Sequence, residues 1–537
     1  MPKGQVREVL AELGLMKNQQ DFGSVSCVSV VLHHLLKELP IEIVSSNALQ
    51  MLHLIEFSKD NSFDQHMNYR LLGFRLNERK TSVDIVIAVL DKIIQVVAQY
   101  DSLDEYLKVV DAYADLILQN QLGNLLNTIL EGISQRALNK GVTEAEMPSL
   151  QSLLGKILSH FKCLEDVLCL NHFPEILDVL FGSSQDVVYL HILNLATRNE
   201  RIRDPLSIQL LFEISRTLHD NIEAKNVKDD SQVAHSISHF VHMVDYGAEM
   251  EQQLAFLVDC RGAFSRFNEL KETLVHSSNS LAIQALKCAK KHLSLVKACI
   301  TFSEVTIPSI SAQSKQFDHF LETAEVAFLV GLVSHSDGLI DSAIGCLQTL
   351  NTTDGLQTPA EVEGLVSSIR KLCGFLVMVP GTHFPNNLFS LISSHSWFEP
   401  KMKTQIFSSI LLLLTSLAQK SLPYHADTQI PGNDLLFYGD SSYKQELVSL
   451  SKLVLENLLG AIQQEPSRAV QGAMALEACN CIVSSFMVND ELSSVCLNLI
   501  ETAKSGLSSH DKYLRSTIEL VKKKSQTPSA ATVSVSV

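Results

Sequence analysis

Apolar residues recur every three or four positions along most of this chain, the spacing that places them on one face of an α-helix. Ser102 illustrates the start of such a segment, because a Ser N-cap followed three residues later by Glu105 forms a capping box. Continuing along the chain marks roughly twenty helical segments of about ten to twenty residues. The pattern predicts an all-α protein. The apolar positions after Ser102 are Leu103, Tyr106, Leu107, Val110, Tyr113, Ala114 and Ile117.

Two further helix starts carry an N-cap residue and a proline in the first turn, where the missing N–H of proline is not needed. They are Asp204-Pro205 and Thr358-Pro359, and Glu361 completes a capping box at the second. Apolar positions within 447–461 mark another helix. Alternation typical of a strand is confined to the end of the sequence, at 532–537.

Some segments are apolar on more than one side, and such a helix must be covered from two directions. The segment Val83–Val97 is one of them, with apolar residues on most of its circumference. Stacked antiparallel helix pairs provide that cover, so we expect an α-solenoid of irregular, HEAT-like antiparallel helix pairs. No 34-residue tetratricopeptide or ankyrin signature recurs. Two or three separate helical bundles are the alternative.

Polar, Gly and Pro residues cluster at 136–147, 221–231, 351–358 and 421–442, which predicts joints between helices there. We expect residues 1–220 to form the N-terminal part of the helical solenoid. Residues 221–521 are expected to form its C-terminal part. The Lys-Ser-Thr-Ala-Val stretch 522–537 is expected to be a disordered tail.

The composition fits a folded, soluble protein, since 46% of the residues are hydrophobic and 19% are charged. A net charge of -16 would repel a phosphate backbone, so we expect no nucleic-acid partner. The most apolar run, 406–418, is too short for a bilayer, which needs about 20 residues, and is expected to be a buried helix. Eleven scattered cysteines and no signal peptide indicate a cytoplasmic protein with reduced thiols.

Three histidines offer the clearest candidate chemistry. His235, His239 and His242 are spaced i, i+4 and i+7, so they share one side of a helix, as zinc ligands would, and Asp245 follows one turn later. An exposed polar helix face explains the same spacing, and this is the interpretation we adopt. Phosphate-binding loops, zinc-protease motifs and nucleophile elbows do not occur in the sequence. We therefore expect no catalytic, cofactor-binding or metal-binding residues and no enzymatic activity.

Five other features, two of them cysteine pairs, have a functional and a structural interpretation, and the structural one is favoured for each. The cysteine pairs lack zinc spacing and are expected to be buried. The lysine run is short for lipid binding, and the C-terminal valines fit a carboxylate-binding pocket only by chance. The apolar loop segment is expected to pack on adjacent helices. These features are Cys163 and Cys169, Cys479 and Cys481, Lys522 to Lys524, 535–537 and 434–439.

The stretch 240–309 resembles the vacuolar protein sorting-associated protein 35-like family, the large α-solenoid subunit of the retriever complex and a relative of the retromer large subunit. The resemblance rests on seven short runs. They are Phe240-Val241, Val244-Asp245-Tyr246-Gly247, Glu251-Gln252-Gln253-Leu254-Ala255-Phe256, Cys260-Arg261-Gly262-Ala263-Phe264, His276-Ser277-Ser278-Asn279-Ser280-Leu281-Ala282, Ala298-Cys299 and Thr306-Ile307-Pro308-Ser309. Their aromatic and aliphatic residues are expected to lie in the core, and Gly247 to end a helix.

The resemblance implies a non-enzymatic scaffold that recycles membrane proteins from endosomes to the plasma membrane, in the cytoplasm and peripheral on endosomes. It implies a small metallophosphoesterase-fold partner, which we place at 316–521, and an arrestin-like partner near the family's N-terminus. The arrestin-like subunit docks through a Pro-Arg-hydrophobic-Tyr motif, and no Pro-Arg pair occurs in this sequence. The chain is therefore expected to match the C-terminal half of a family member. A generic HEAT-repeat adaptor or transport-receptor scaffold is the alternative function.

Overall fold

The computed structural model describes residues 27–58, 60, 62–79, 82–198, 201–225, 231–287, 292–350, 359–394, 399–422, 431–486, 490–508 and 510–526. Within these residues the chain is helical throughout, and its β-pairing is limited to one parallel bridge between Ile202 and Val244. The prediction of an all-α fold is confirmed. The strand-like pattern at 532–537 lies outside the described residues.

The chain divides into two compact units, Met1–Gly247 and Ala248–Val537. The domain limits predicted at 220 and 521 stay predictions. The helices of the first unit are α1 (Val28–Glu38), α2 (Ile41–Ser46), α3 (Ala48–Phe57), α4 (Gln65–Asn77), α5 (Val83–Val97), α6 (Leu103–Gln119), α7 (Gly123–Lys140), α8 (Met147–His160), α9 (Leu164–Leu168), α10 (Phe173–Asp178), α11 (Gly182–Ala196), α12 (Pro205–Lys225) and α13 (Ser231–Met243).

Helices of the first unit pack on neighbours that are close in sequence. One layer runs from α1 to α4, α6, α8, α11 and α13, each helix contacting the next. Other helices cover this layer, with α5 against α3 and α6, and α7 against α6 and α10. Contacts restricted to neighbouring pairs are typical of an α-solenoid, in agreement with the prediction.

The second unit contains α14 (Met250–Ala263), α15 (Asn268–Lys287), α16 (Leu293–Thr306), a 3-10 turn (Ile307–Ser309), α17 (Gln313–Leu329), α18 (Val333–Thr349), α19 (Pro359–Leu376), α20 (His383–Ser394), α21 (Pro400–Leu417), α22 (Asn433–Leu436), α23 (Ser441–Gln464), α24 (Arg468–Ser485), α25 (Asp490–Gly506) and α26 (Lys512–Gln526). Its layer runs from α15 through α17, α19, α21 and α24 to α26. Helices α16, α18 and α25 pack back on their predecessors as hairpins. One apolar core joins these helices, from Met250 to Val521.

The predicted helix starts form by local hydrogen bonding. The Ser102 hydroxyl accepts a hydrogen bond from the Glu105 N–H at 3.4 Å. The Asp204 carboxylate accepts one from the Ser207 N–H at 2.8 Å and another from its hydroxyl, and these bonds hold the pKa of Asp204 below its usual value. Both N-caps are confirmed. Thr358 lies outside the described residues.

The joint predicted at 136–147 is wrong for its first five residues, because α7 continues to Lys140. Arg136 there reaches across to the end of α5 and donates hydrogen bonds to the carbonyls of Val97, Ala98 and Tyr100. Its guanidinium carbon lies 4.1 Å from the centre of the Tyr106 ring. Arg136 thus satisfies carbonyls at the end of another helix. Its partners lie about forty positions away in the sequence, so the local pattern could not distinguish this helical arginine from a loop residue.

The sequence predicted that helices with several apolar sides are packed between other helices. This prediction is confirmed for one such helix and is only partly correct for another. Helix α21 is contacted by α19, α20, α23 and α24, which confirms a buried helix at 406–418. Helix α5 contacts α3 and α6 but leaves Val83 and Ile87 52% and 36% exposed, so the prediction was wrong for these two side chains. Among the described helices, none combines the length and apolarity that a bilayer crossing requires.

The end of α25 approaches the start of α24 so closely that Gly506 has no room for a side chain. A Cβ there would fall on the Arg468 carbonyl, which is backbone and cannot rotate away. A Cβ added to Gly460 on α23 would have no neighbouring heavy atom within 4 Å. The two glycines therefore form a matched pair for testing this helix crossing.

We expect Gly506→Ala to destabilise the second unit by about 1 to 3 kcal/mol, since overpacking forces the two helices apart. Gly460→Ala should leave stability unchanged or raise it by about 0.5 to 1 kcal/mol. Thermal unfolding followed by circular dichroism measures both. Equal unfolding temperatures for the two variants would contradict the close crossing of α24 and α25.

Candidate partner-binding surface

The three histidines weighed as zinc ligands, His235, His239 and His242, lie exposed on α13, in agreement with the exposed polar face that the sequence analysis favoured. The rings of His235 and His239 stack with centroids 6.4 Å apart, and His242 is also exposed. Within the described residues, the group whose ligand atoms all come within 4.8 Å of one another is instead His219, Asp220 and Glu223 on α12. The sequence analysis did not predict this group, because a histidine close to two acidic residues is a common combination on helices and does not by itself indicate a metal site.

Asp245 takes part in the turn that follows α13. Its carboxylate accepts hydrogen bonds from Arg203 at 3.0 Å and from the Gly247 N–H at 2.8 Å. Partial desolvation raises the pKa of Asp245, but these two hydrogen bonds together with the positive charges of Arg203 and Arg201 outweigh it and hold the pKa below its usual value. Gly247 has a φ of 62°, so the left-handed conformation predicted for it is confirmed, but α13 ends at Met243 and Gly247 lies in the turn beyond it rather than at the helix end.

The cysteine pairs differ from each other in burial. Cys479 and Cys481 are buried in α24, as predicted, and the Cys481 thiol donates to the Ser408 carbonyl at 3.3 Å. The prediction was wrong for the other pair, because Cys163 is half-buried and Cys169 is exposed. Cys496 on α25 lies beside Cys479, a contact across a helix hairpin that sequence spacing did not indicate.

The large apolar residues in the runs that carry the family resemblance lie in the core, except Leu254, which is only partly buried. Phe240, Val244, Phe256 and Phe264 are buried, as expected from their spacing. The Thr306-Ile307-Pro308-Ser309 run begins at the end of α16 and continues into a 3-10 turn, so Pro308 lies at a joint between helices. The buried residues of these runs therefore support the fold.

Asn279 in the same block is the centre of a buried hydrogen-bond cluster that joins α15, α16 and α17. Its amide donates to the Thr323 hydroxyl at 3.1 Å, and its carbonyl oxygen accepts from the Ser303 hydroxyl at 3.1 Å. The neighbouring Ser278 hydroxyl donates to the Cys299 carbonyl at 3.0 Å. These four side chains are fully buried, so the polar atoms depend on one another for partners.

The apolar segment 434–439 packs only in part against its neighbours. Asn433 and Asp434 are buried at the start of α22, and the Phe437 ring stacks on Tyr443 with centroids 4.5 Å apart. Leu435, Leu436 and Tyr438 point outward and are 61%, 50% and 81% exposed. We call residues 433–438 the knuckle. Its exposed side chains contradict the expectation that the whole segment packs inward.

A cavity of about 200 Å³ lies beside the knuckle. Phe437 and Tyr438 form one wall, and Leu417 at the end of α21 forms another. Two exposed lysines, Lys420 and Lys444, also line it, and neither forms an ion pair with any described residue. The lining therefore combines aromatic and aliphatic side chains with two lysines and the carboxylate of Asp434.

The remaining sequence features lie at the end of the chain. Lys522 and Lys523 are exposed in the last turns of α26. The side chain of Lys524 and residues 527–537, with the terminal valines, lie outside the described residues. The predicted partner region 316–521 contains α18 to α25 and most of α17 and α26, and the knuckle lies within it.

The sequence similarity to known proteins extends over nearly the whole chain. The family model of the VPS35L C-terminal domain matches residues 13–536. The VPS35 endosomal protein sorting factor-like protein of Dictyostelium discoideum is 24% identical over 518 residues, which are 92% of this chain and 52% of that protein. The similarly named proteins of Mus musculus and Drosophila melanogaster are 25% and 26% identical, with 93% and 96% of this chain and 54% and 55% of their own lengths covered. The chain thus spans about half the length of these relatives.

We expect Asn279→Leu to lower the stability of the second unit by about 2 to 3 kcal/mol, because it leaves buried hydroxyl groups without their partner. Asn498 is exposed on α25, so Asn498→Leu should change stability by no more than about 0.5 kcal/mol. Urea unfolding of both variants measures the difference. A wild-type midpoint for Asn279→Leu would contradict the role of the buried cluster.

We expect thiol reagents at pH 8 to label Cys27 and Cys169 rapidly and Cys299 and Cys373 only after unfolding. Burial raises the pKa of Cys299 to about 11 and that of Cys373 to about 12, so the reactive thiolate is scarce at pH 8. Contact with Cys496 together with burial also raises the pKa of Cys479. Mass spectrometry of labelled peptides measures each site, and rapid labelling of Cys373 in the native chain would contradict its buried position.

Proposed function

The chain belongs to the VPS35L C-terminal domain family, and from this we propose that it is the C-terminal part of a non-enzymatic scaffold for endosomal protein sorting. The observation that carries the proposal is the family match at residues 13–536, which includes every described helix. The curated relatives are named endosomal protein sorting factor-like. We propose further that the scaffold is of the retriever type and returns membrane proteins from endosomes to the plasma membrane.

The architecture suits a scaffold, because stacked helix pairs offer long surfaces without requiring an active-site cleft. The buried cysteines are held as thiols, and the converging group on α12 has two exposed carboxylates. A net charge of -16 opposes direct adsorption to anionic lipids, so attachment to endosomes would come through partners. We place the protein in the cytoplasm and peripherally on endosomes.

The partner we propose is a small subunit of metallophosphoesterase fold, bound within residues 316–521. This region holds most of the apolar core of the second unit and the knuckle with its adjacent cavity. An arrestin-like subunit is not proposed for this chain, since the Pro-Arg pair of its docking motif is missing from the sequence.

We expect a chain that ends at Ser525 to co-purify with the metallophosphoesterase-fold subunit and a chain that ends at Gln357 to lose it. The shorter chain lacks α19 to α26 and with them most of the proposed binding region. Size-exclusion chromatography of the mixed proteins measures binding, and circular dichroism checks that both chains are helical. Equal binding by the shorter chain would contradict the assignment of the partner to 316–521.

A further inference from the structure

Helices α24 and α25 bring two cysteines together inside the second unit. Cys479 on α24 and Cys496 on α25 are 17 positions apart in the sequence, and both side chains are fully buried. The Cys479 thiol lies 3.9 Å from the Cys496 carbonyl oxygen and is also in hydrogen-bond contact with the Cys496 thiol. Both are free thiols. The fold therefore holds two oxidisable groups side by side across a helix hairpin.

The close packing of α24 on α25 explains how these sulfur atoms meet. A Cβ added to Gly472 on α24 would lie 3.3 Å from the Ala503 carbonyl oxygen on α25, so the two backbones nearly touch there. Cys479 follows Gly472 by about two helical turns, and Cys496 precedes Ala503 by the same interval. The cysteines therefore face each other farther along the same antiparallel contact. A disulfide requires Cα atoms within about 7 Å, a separation that closely packed helices provide.

Other buried cysteines of the second unit have oxygen atoms as partners. Cys481 lies two positions beyond Cys479, but its thiol is directed to α21 and donates to the Ser408 carbonyl at 3.3 Å. The Cys346 thiol on α18 donates to the Gln316 side-chain oxygen on α17 at 3.7 Å. Contact with a second thiol thus distinguishes Cys479 from these neighbours.

Two converging thiols suit a disulfide better than a metal site. Structural zinc is held by four ligands, so a pair of cysteines supplies only half of a site. Within the described residues, the side chains that converge as a group of three metal-binding types lie on α12. A bond between the two sulfur atoms needs no further protein group. The chemistry that fits this pair is therefore thiol oxidation.

Reactivity and access both support this chemistry. The Cys479 thiol, by hydrogen bonding, holds the pKa of Cys496 below its usual value, which favours the thiolate that attacks an oxidant. Helix α25 packs mainly on α24 and α26, whereas four helices surround α21. Local opening costs less free energy where fewer contacts are lost. A small oxidant such as hydrogen peroxide can therefore reach the pair without unfolding of the whole unit.

We propose that Cys479 and Cys496 form a redox-sensitive pair, which hydrogen peroxide oxidises to a disulfide that fixes α25 to α24. In the reduced chain the hairpin opens locally, and in the oxidised chain the covalent bond prevents this opening. The inference is separate from the proposed function, because it concerns this chain alone and requires no partner.

The reaction takes place in two steps. The Cys496 thiolate attacks one oxygen of hydrogen peroxide, the O–O bond breaks, and a sulfenic acid forms while the departing hydroxide takes up the proton that Cys496 lost. The Cys479 sulfur then attacks the Cys496 sulfur, the S–O bond breaks, and the departing hydroxide takes up the Cys479 proton. Two thiols and one peroxide thus give one disulfide and two water molecules, with two electrons passing from sulfur to oxygen.

The first experiment identifies the bond by mass spectrometry. The full chain is treated with hydrogen peroxide, unfolded with its remaining thiols blocked by iodoacetamide, and digested without reductant by an endopeptidase that cleaves after glutamate. Cleavage after Glu477, Glu491 and Glu501 places Cys479 and Cys496 in different peptides, 478–491 and 492–501. We expect the two peptides to be joined after oxidation and separate after treatment with dithiothreitol.

Cys481 supplies the matched control, since it is buried and lies in the same peptide as Cys479. Cys481→Ala should retain the joined peptides, whereas Cys479→Ala and Cys496→Ala should lose them. Unfolding temperatures measured in dithiothreitol check that the three variants are folded. Joined peptides in Cys479→Ala would assign the bond to Cys481 and contradict the proposed pair.

The second experiment measures what the bond does to the fold. A disulfide restricts the unfolded chain, so we expect oxidation to raise the unfolding temperature of the wild type by about 5 °C. Dithiothreitol should reverse the rise, which separates the disulfide from oxidised methionines, since these are restored only by dedicated reductases. Cys481→Ala should show the same rise and Cys496→Ala none. A joined pair with an unchanged unfolding temperature would refute the role of the bond in fixing α25.

Hydrogen–deuterium exchange locates the effect. We expect amide exchange in α25 to slow at least about threefold in the oxidised wild type and to stay unchanged in oxidised Cys479→Ala. The hairpin of α17 and α18 is the internal control, because it has Cys346 on α18 and no cysteine on α17. Equal slowing in both hairpins would show a general effect of peroxide and contradict the proposal.

The results decide the proposal independently of partner binding. Joined peptides in the wild type and in Cys481→Ala, with a reversible rise in unfolding temperature, support it. Peroxide treatment that oxidises the exposed Cys169 and leaves Cys479 and Cys496 as free thiols would overturn it. A sulfenic or sulfinic acid on Cys496 without joined peptides would overturn it as well. None of these outcomes bears on the endosomal scaffold, whose test is binding of the small subunit.

Discussion

A helix that is apolar on several sides can be stable in water only if other helices cover it from more than one direction, and this constraint governs the structure. Helix α21 shows it most clearly, because four helices surround it and residues on nearly all its sides are buried. Burial of apolar surface stabilises the fold by roughly 25 cal/mol per Å². A single helix pair would leave much of the apolar surface of such a helix in water and would lose that part of the stabilisation. Layers of neighbouring helices follow from that requirement, and each new pair extends the array.

Buried polar side chains determine how neighbouring helices are aligned. Asp111 on α6 is 7% exposed, and it accepts a hydrogen bond from Ser152 at 2.9 Å and pairs with Lys156 at 2.9 Å, both on α8. Asn279 plays the corresponding role in the second unit with Ser303 and Thr323. Apolar contacts tolerate small sliding movements, but a buried hydrogen bond does not, so these groups set the register of the stack.

The block 240–309 and the knuckle differ in which of their side chains the fold buries. The block 240–309 resembles the family through residues such as Phe256, Phe264 and Asn279, which are buried and define the helix packing. A partner can reach only what the core leaves outside, and the knuckle is such a place, with its anchors inside and its leucines and tyrosine outside. Within the knuckle, Asn433 and Phe437 thus contact the fold, whereas Tyr438 is exposed.

The sequence by itself determined the helices, their N-caps at Ser102 and Asp204 and the left-handed Gly247, because these depend on residues within about one helical turn. Tertiary structure alone decided that Arg136 caps another helix, that Cys496 lies beside Cys479 and that Ile87 stays exposed. It also decided which half of 433–438 faces outward. Each of these outcomes depends on a contact between residues that are far apart in the chain, and periodicity along one segment carries no information about which neighbour will cover it.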